Sequence, residues 1–207
     1  MNAAHSVLLI DDHGMVNSGI AGILEETGRF RVSAQAATLN EAKQVIEAND
    51  GRFPHLVILD IMLGEDNGLD FLSYLKKFCK NRNVKKPVVL VCSVLNEPFR
   101  IQSALEMGAE GYISKASSKH ELLEAIDTVL RGETYISGEH SAKIVKSYGL
   151  YSKFTKREMG ILNLLKDDKS NTQIAEALGL SIRTIENHIS NMYYKTGMKD
   201  RRELMKL

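Results

Sequence analysis

The sequence predicts an α/β unit, a five-stranded, doubly wound parallel sheet with helices on both faces, followed by a small all-α unit. Three observations carry this expectation. Short apolar strands alternate with amphipathic helices through about residue 131, and that alternation builds a parallel sheet. The strands read as continuous apolar runs, which fits burial on both faces. From Phe154 onward the periodicity is wholly helical.

Val7-Leu8-Leu9-Ile10 reads as a first buried strand, ending in Asp11-Asp12. Val16, Ile20, Ile23 and Leu24 then fall on one helical face. Phe30, Val32, Ala34 and Ala36 alternate like a second strand, and Thr38 with Glu41 has capping-box spacing ahead of a helix bearing Ala42, Val45 and Ile46. Leu56-Val57-Ile58-Leu59 is a third strand, ending at Asp60, and Leu69, Leu72 and Leu75 mark the helix after it. Val88-Val89-Leu90-Val91 is a fourth strand, ending near Ser93. Ile101, Ala104 and Leu105 begin the next helix, stopped by Gly108. Gly111-Tyr112-Ile113-Ser114 is a short fifth strand, ending at Lys115. Ser118 and Glu121 open the helix of Leu122, Ile126, Val129 and Leu130, and Gly132 closes it.

Residues 1–132 are therefore expected to form the first domain, residues 133–152 a linker with a short helix around His140 to Lys146, and residues 153–207 the second domain. In the second, Thr155 and Glu158 cap a helix with Met159, Leu162 and Leu165. Ile174, Ala175 and Leu178 mark the next, ended by Gly179. Ser181 caps a third with Ile185, His188, Ile189 and Met192, stopped by Gly197, and Asp200 with Glu203 caps a last short one with Leu204. Helix, glycine turn, helix is the arrangement that lays a second helix in a DNA groove.

Apolar residues make up 43% and charged residues 26%, the composition of a globular protein. No apolar run approaches the ~20 residues that span a bilayer. No basic stretch precedes the first apolar segment, so neither a signal peptide nor a membrane association is expected, and a cytoplasmic location is. Cys79 and Cys92 have no metal or redox spacing and read as reduced thiols. Net charge is +1, but residues 153–207 carry +4 and the preceding residues −3. An acidic first part suits a cation site, and a basic second part suits a polyanion.

In an open α/β sheet, ligands collect beyond the carboxyl ends of the strands. Those ends here are Asp11, Asp12, Asp60, Ser93 and Lys115: three carboxylates, a hydroxyl and an ammonium. Clustered carboxylates repel, and a hard divalent cation such as Mg²⁺, which keeps several waters, relieves them. One carboxylate can then act as a nucleophile toward phosphorus and form an acyl phosphate, with the metal and Lys115 neutralising the transferring group. Ser93 is placed to donate to the new phosphoryl oxygens.

The order of these residues resembles the receiver domain of two-component response regulators, a CheY-like, flavodoxin-type fold. The matching pieces are Leu9-Ile10-Asp11-Asp12-His13, Leu59-Asp60-Ile61-Met62, Gly68 eight residues after Asp60, Ser93, and Gly108-Ala109-Glu110-Gly111-Tyr112-Ile113-Ser114-Lys115. The resemblance implies Asp60 as phosphoacceptor, Asp12 as a direct Mg²⁺ ligand, Asp11 as a second acidic member and Met62 as the ligand through its backbone carbonyl. It further implies Ser93 and Tyr112 as the switch pair, and Lys115 as the phosphate-pairing lysine. Two positions depart from the family pattern: Gly64 stands where Pro is usual, and Val94 where Ala is usual. The expectation is a looser loop at Gly64 and a more crowded approach at Val94, both bearing on the lifetime of the phosphorylated form.

Residues 153–207 resemble the LuxR-type helix-turn-helix of NarL/FixJ regulators. The resemblance rests on Phe154-Thr155-Lys156-Arg157-Glu158, on Asn171 through Leu178, on Ser181-Ile182-Arg183-Thr184-Ile185, and on His188, Lys195-Thr196-Gly197-Met198, Arg201 and Leu204. Helical spacing directs Ile185, His188, Ile189 and Met192 inward, and Arg183, Thr184, Glu186, Asn187, Ser190, Asn191 and Tyr194 outward. Arg183, Lys195, Lys199 and Arg201 are candidate phosphate contacts. Asn187 and Asn191 are candidates for reading adenine edges. Glu186, where relatives often carry Lys, either accepts from cytosine or repels phosphate.

The family reading implies a histidine kinase as phosphodonor, double-stranded DNA as target, and a homodimer on DNA assembled partly through Asp200–Leu207. It implies no enzyme beyond the receiver's own phosphorylation and dephosphorylation. An aspartate-based phosphatase needs a second acid two residues after its nucleophile, where Met62 stands. A flavin domain wants a hydroxyl- and glycine-rich loop after the first strand, unlike Asp12-His13-Gly14-Met15. A regulator that binds DNA without phosphorylation, dimerising through a receiver-like domain, is the remaining alternative.

Overall fold

The computed structural model describes residues 4–48, 53–137 and 153–205. They fall into two compact units, the first ending in the region of residue 138 and the second carrying the helices from Lys156 on. The helix expected around His140 to Lys146 lies outside the described residues.

In the first unit β1 (His5–Ile10), α1 (Gly14–Glu26), β2 (Phe30–Ala36), α2 (Leu39–Glu47) and β3 (Leu56–Leu59) follow the expected order. A small hairpin, β4 (Met62–Leu63) and β5 (Asp66–Asn67), comes next. Then come α3 (Leu69–Arg82), β6 (Val88–Ser93), α4 (Pro98–Met107), β7 (Gly111–Ser114), α5 (Lys119–Leu130) and β8 (Tyr135–Ile136). The main sheet has the order β2-β1-β3-β6-β7-β8, and all its pairings are parallel.

That makes six strands where the sequence predicted five. The sixth, β8, pairs Tyr135 with Gly111 and Ile136 with Tyr112. Two residues are too few to show a periodicity, so the segment read as the start of a linker. The strand expectations otherwise rest on burial that the structure shows: every residue of β3 is buried, as are Val7 through Ile10. Side chains alternate faces along a strand. Val7 and Leu9 pack with Ile20, Leu24, Leu122 and Ile126 of α1 and α5, which leaves Leu8 and Ile10 for the opposite layer.

Caps set several helix starts. Thr38 Oγ1 accepts from the Glu41 N–H before α2, and Ser118 Oγ accepts from the Glu121 N–H before α5. The helix α3 ends with Asn83 in the left-handed conformation.

The second unit contains α6 (Lys156–Lys166), α7 (Asn171–Leu178), α8 (Ile182–Thr196) and α9 (Arg201–Met205). Thr155 with Glu158 and Ser170 with Gln173 form full capping boxes, and Ser181 caps α8. Gly179 and Gly197 end α7 and α8 in the left-handed region. Phe154, Leu162, Leu165, Ile174, Ile185, Ile189, Met192 and Leu204 share one core. His188, expected on the apolar face, is half-buried at its margin.

Candidate functional site

The sheet order places β1 beside β3, although β2 lies between them in sequence. The chain therefore reverses its winding direction there, and a crevice opens beyond the carboxyl ends of the two strands. Asp11 and Asp12 follow β1 and Asp60 follows β3. The Asp60 N–H donates to the Ile10 carbonyl at 2.8 Å and the Asp11 N–H to the Ala36 carbonyl at 3.0 Å, so sheet bonding fixes both backbones.

Asp60 is 1% exposed and Asp11 5%. Two buried carboxylates are tolerable only with compensating partners. The Lys115 ammonium stands between them, 2.6 Å from Asp11 Oδ2 and 2.6 Å from Asp60 Oδ2. Burial lowers the pKa of that ammonium, but the hydrogen bonds and charges of the two aspartates outweigh it and hold it above the ordinary lysine value. Ser93, fully buried, donates its hydroxyl to Asp60 Oδ1 at 2.7 Å, and the Met62 N–H donates to the same oxygen at 3.1 Å. Tyr112 is fully buried and its hydroxyl donates to the Leu95 carbonyl.

Gly68 is required by this arrangement. A Cβ there would lie 2.1 Å from the Asp60 carbonyl oxygen, while the Gly68 N–H donates to the Ile61 carbonyl at 2.7 Å. The start of α3 is thereby pressed against the backbone that carries Asp60.

The loop after Asp60 folds into a small hairpin. Met62 pairs with Asn67 and Leu63 with Asp66, leaving Gly64-Glu65 as a two-residue turn. Gly64 has φ +60°, which proline, fixed near −65°, cannot adopt. The Gly64 N–H donates to Asp12 Oδ2 at 3.0 Å, a bond proline also lacks. Val94, 59% exposed, lines a cavity of roughly 350 Å³ together with Asp12, His13, Val16, Asp60, Met62, Gly64 and Lys115.

Two residues to which the sequence reading gave no role contribute to the pocket. Asn17 is 5% exposed on α1, and its side-chain amide donates to the Asp11 carbonyl at 2.8 Å. Its signal was a polar residue on the buried face shared with Ile20 and Leu24. The His13 N–H donates to Asp11 Oδ1 at 2.8 Å, and its ring approaches both Asp11 and Asp12. One ligand atom from each of Asp11, Asp12, His13 and Asp60 lies within 4.8 Å of the others. Clustered carboxylate oxygens beside a solvent-connected cavity fit a hard divalent cation with several retained waters.

On α8, Arg183, Glu186, Asn187, Ser190, Asn191 and Tyr194 are exposed and form one stripe along the helix. Thr184 is half-buried, with its hydroxyl 2.8 Å from that of Ser181. Lys199 is exposed. Two other candidate phosphate contacts are engaged inside the unit. The Lys195 ammonium lies 2.6 Å from the buried Glu158 carboxylate. Arg201 donates to Asn171 Oδ1 at 3.1 Å and to the Lys169 carbonyl.

A doubly wound parallel sheet with a lysine-paired aspartate pocket, joined to a helix-turn-helix unit, defines a response regulator that binds DNA. Comparison with known families agrees. The response regulator receiver domain family matches residues 7–127, and the luxR family of bacterial regulatory proteins matches residues 152–207. The response regulator protein VraR of Staphylococcus aureus is 30% identical over 199 residues, 94% of this chain and 91% of its own. RcsB of Salmonella enterica serovar Typhimurium, in a structure bound to promoter rprA in the presence of the phosphomimetic BeF3⁻, superposes with a TM-score of 0.72. It is 21% identical and the match covers 98% of this chain and 97% of that one. A LuxR-family two-component response regulator from Aurantimonas sp. SI85-9A1 gives 0.63 at 24% identity, covering 70% of this chain and 99% of its own. The chain belongs to the response regulator family, with a receiver domain followed by a LuxR-type DNA-binding domain. Among the described residues no helix is long and apolar enough to cross a membrane.

Proposed function

We propose that this response regulator is switched by phosphorylation of Asp60, and that the switch controls dimerisation and DNA binding. One observation carries the reading: a carboxylate 1% exposed shares a pocket with an ammonium, a hydroxyl and a backbone N–H, all aimed at its oxygens. An Asp60 oxygen attacks the phosphorus of a histidine kinase's phosphoimidazole. The O–P bond forms as the P–N bond breaks, and the departing imidazole nitrogen takes the electron pair and a proton. Lys115, Ser93 and the Met62 N–H stabilise the new phosphoryl oxygens. Asp11, Asp12, Asp60 and the Met62 carbonyl would hold Mg²⁺, which when bound neutralises the charge of the transferring group. The receiver's catalysis is confined to its own phosphorylation and dephosphorylation.

Ser93 and Tyr112 form the switch pair that couples the phosphoryl group to the population of the active state. Residues 1–132 act as receiver, with 133–152 as linker and 153–207 as the DNA-binding domain. On DNA two copies bind paired half-sites, partly through the segment Asp200–Leu207. Arg183 and Lys199 contact phosphates, and Asn187, Ser190 and Asn191 face base edges with Glu186 and Thr184 beside them. The protein works in the cytoplasm.

The test is intact-mass spectrometry after incubation with acetyl phosphate and Mg²⁺, on wild type and Asp60→Asn. A gain of one phosphoryl mass that chelation and the substitution both abolish is expected, followed by tighter DNA binding of the labelled protein. Failure to gain mass from acetyl phosphate and from phosphorylated kinases would overturn the reading in favour of phosphorylation-independent DNA binding.

A further inference from the structure

A basic run on the first unit plays no part in the phosphoryl-transfer chemistry. Residues 71–96 contain six of the sixteen Lys and Arg found between residues 1 and 152, and none of the nineteen Asp and Glu. The helix α3 carries four of these cations, Lys76, Lys77, Lys80 and Arg82, and all four are exposed. Leu69, Phe71, Leu72, Leu75 and Cys79 of the same helix are buried, so the cations gather on its solvent side. Lys80 stands three residues after Lys77 and four after Lys76, spacings at which like charges are neighbours and destabilise a helix. The helix dipole accounts for cations only in the last turn, here Lys80 and Arg82. Among the described residues no acid holds Lys76, Lys77, Lys80 or the exposed Lys85 just beyond the helix, whereas Lys86 is taken up by Glu110 at 3.0 Å. The Arg82 guanidinium lies over the Phe78 ring, 5.3 Å from its centre.

We infer that this face of α3 is an electrostatic docking surface for DNA, engaging phosphates of the duplex that the LuxR-type domain binds. The lack of an apolar anchor selects the partner. A protein interface is built on buried aromatic or aliphatic anchors and is depleted in lysine at its centre. A peripheral membrane contact needs apolar side chains that enter the lipid. The exposed large apolar side chains are Met15, Met62, Val94, Ile182 and Tyr194, and none of them is on α3. A polyanion needs no such anchor, because release of its condensed counterions rewards each phosphate that an ammonium neutralises. The spacing fits as well: Lys76 to Lys80 covers ~6 Å of helix axis, and a DNA strand presents a phosphate every ~3.4 Å of its own axis. Once one domain holds the duplex, the tether keeps further phosphates at high local concentration for the other. Such a contact reads no base; it adds affinity on any sequence and steepens the salt dependence. It rests on DNA binding by the second domain and is independent of the phosphorylation of Asp60.

The test is fluorescence anisotropy of the full, unphosphorylated chain on a labelled random-sequence duplex of about 40 base pairs, long enough for paired half-sites and flanks. NaCl is varied from about 50 to about 200 mM. Wild type is compared with Lys76→Gln/Lys77→Gln/Lys80→Gln and with the same three lysines changed to Arg. A control, Arg31→Gln/Lys119→Gln/Arg131→Gln, removes equal charge from exposed positions elsewhere on the first unit. The glutamine variant should reduce the log–log salt slope by about 2–3, at ~0.9 for each lost phosphate contact. Its melting temperature should not fall, because repulsion along α3 is relieved. The arginine variant should keep the wild-type slope, and the control should change it by less than about 0.9. An unchanged slope in the glutamine variant would overturn the inference, as would an equal reduction in the control. Self-association of wild type at low salt without DNA, read by sedimentation velocity and lost in the glutamine variant, would overturn it in favour of an acidic face on a second copy.

Discussion

Replacing Lys195 with Met separates a structural lysine from a DNA-contacting one. The ammonium lies 2.6 Å from Glu158 Oε2, and the Glu158 side chain is 3% exposed. The same oxygen accepts from the Thr155 N–H at 2.7 Å and from the Thr155 hydroxyl at 3.0 Å, closing the capping box of α6. Removing the lysine leaves a buried carboxylate with those two neutral donors. Breaking a buried pair costs about 3–5 kcal/mol, and the 30% exposure of Lys195 places this one lower, at ~2–4 kcal/mol. In a domain of this size, where ~1 kcal/mol corresponds to about 8 °C, that is a fall in melting temperature on the order of 15–30 °C. Scanning calorimetry of the full chain reads it as a downward shift of one transition with the other unchanged. The salt dependence of DNA binding, measured below the new transition, should keep its slope, because a lysine already paired inside the domain adds no phosphate contact. An unshifted transition together with a log–log salt slope reduced by about 0.9, the loss of one phosphate contact, would refute the reasoning.

Three further outcomes follow from buried groups. Gly68→Ala would put a Cβ 2.1 Å from the Asp60 carbonyl oxygen and 3.0 Å from Ile61 Cα. Since backbone must move, denaturant titration should show a loss of ~3 kcal/mol or more, and phosphorylation of Asp60 should fall with it. Glu158 is raised in pKa by burial, but the Lys195 and Thr155 bonds more than offset this and hold it below the ordinary glutamate value of 4.5. Its contribution to stability is therefore complete above that value and lost as pH falls through the lower folded-state pKa; Glu158→Gln should flatten this acid limb in melts taken across the range. Burial pushes the Cys92 thiol up to about 12, and the residue is 5% exposed. Iodoacetamide at pH 8 should leave Cys92 unmodified in the folded chain and label it in urea, as peptide mass mapping would show.

The fold was legible wherever apolar residues recur over a full element. Leu56-Val57-Ile58-Leu59 is buried throughout, and Thr38, Ser118, Thr155 and Ser181 cap the helices expected of them. Two-residue strands carry no such signal. The strand Tyr135–Ile136 forms because the edge of β7 is available to pair with it, and that is a property of the assembled sheet. Ser170 and Gln173 had the spacing of a capping box, but the sequence reading began its helix from Ile174 and so passed over them. The hairpin from Met62 to Asn67 was hidden for a different reason. Gly64 in place of the usual proline suggested a slacker loop, whereas φ +60° at that residue and its N–H bond to Asp12 belong to a turn that proline could not make.

The pocket was more legible than the DNA-facing surface, and the physical reason lies in how each is built. Strand ends are fixed by sheet bonding, so Asp11, Asp60, Ser93 and Lys115, each following a predicted strand, had to converge once the strand order was right. No comparable constraint sets where a long flexible side chain ends. Arg183, Lys195, Lys199 and Arg201 look alike in sequence as cations of one basic segment. Their partners divide them: Glu158 holds Lys195, and Asn171 with the Lys169 carbonyl holds Arg201, while Arg183 and Lys199 face solvent. Asn17 was passed over, and His13, quoted in the matching motif, was given no role, for the same reason. Each sits at a helical position whose residue type is unusual, and only the folded neighbours, the Asp11 carbonyl for one and two carboxylates for the other, explain why.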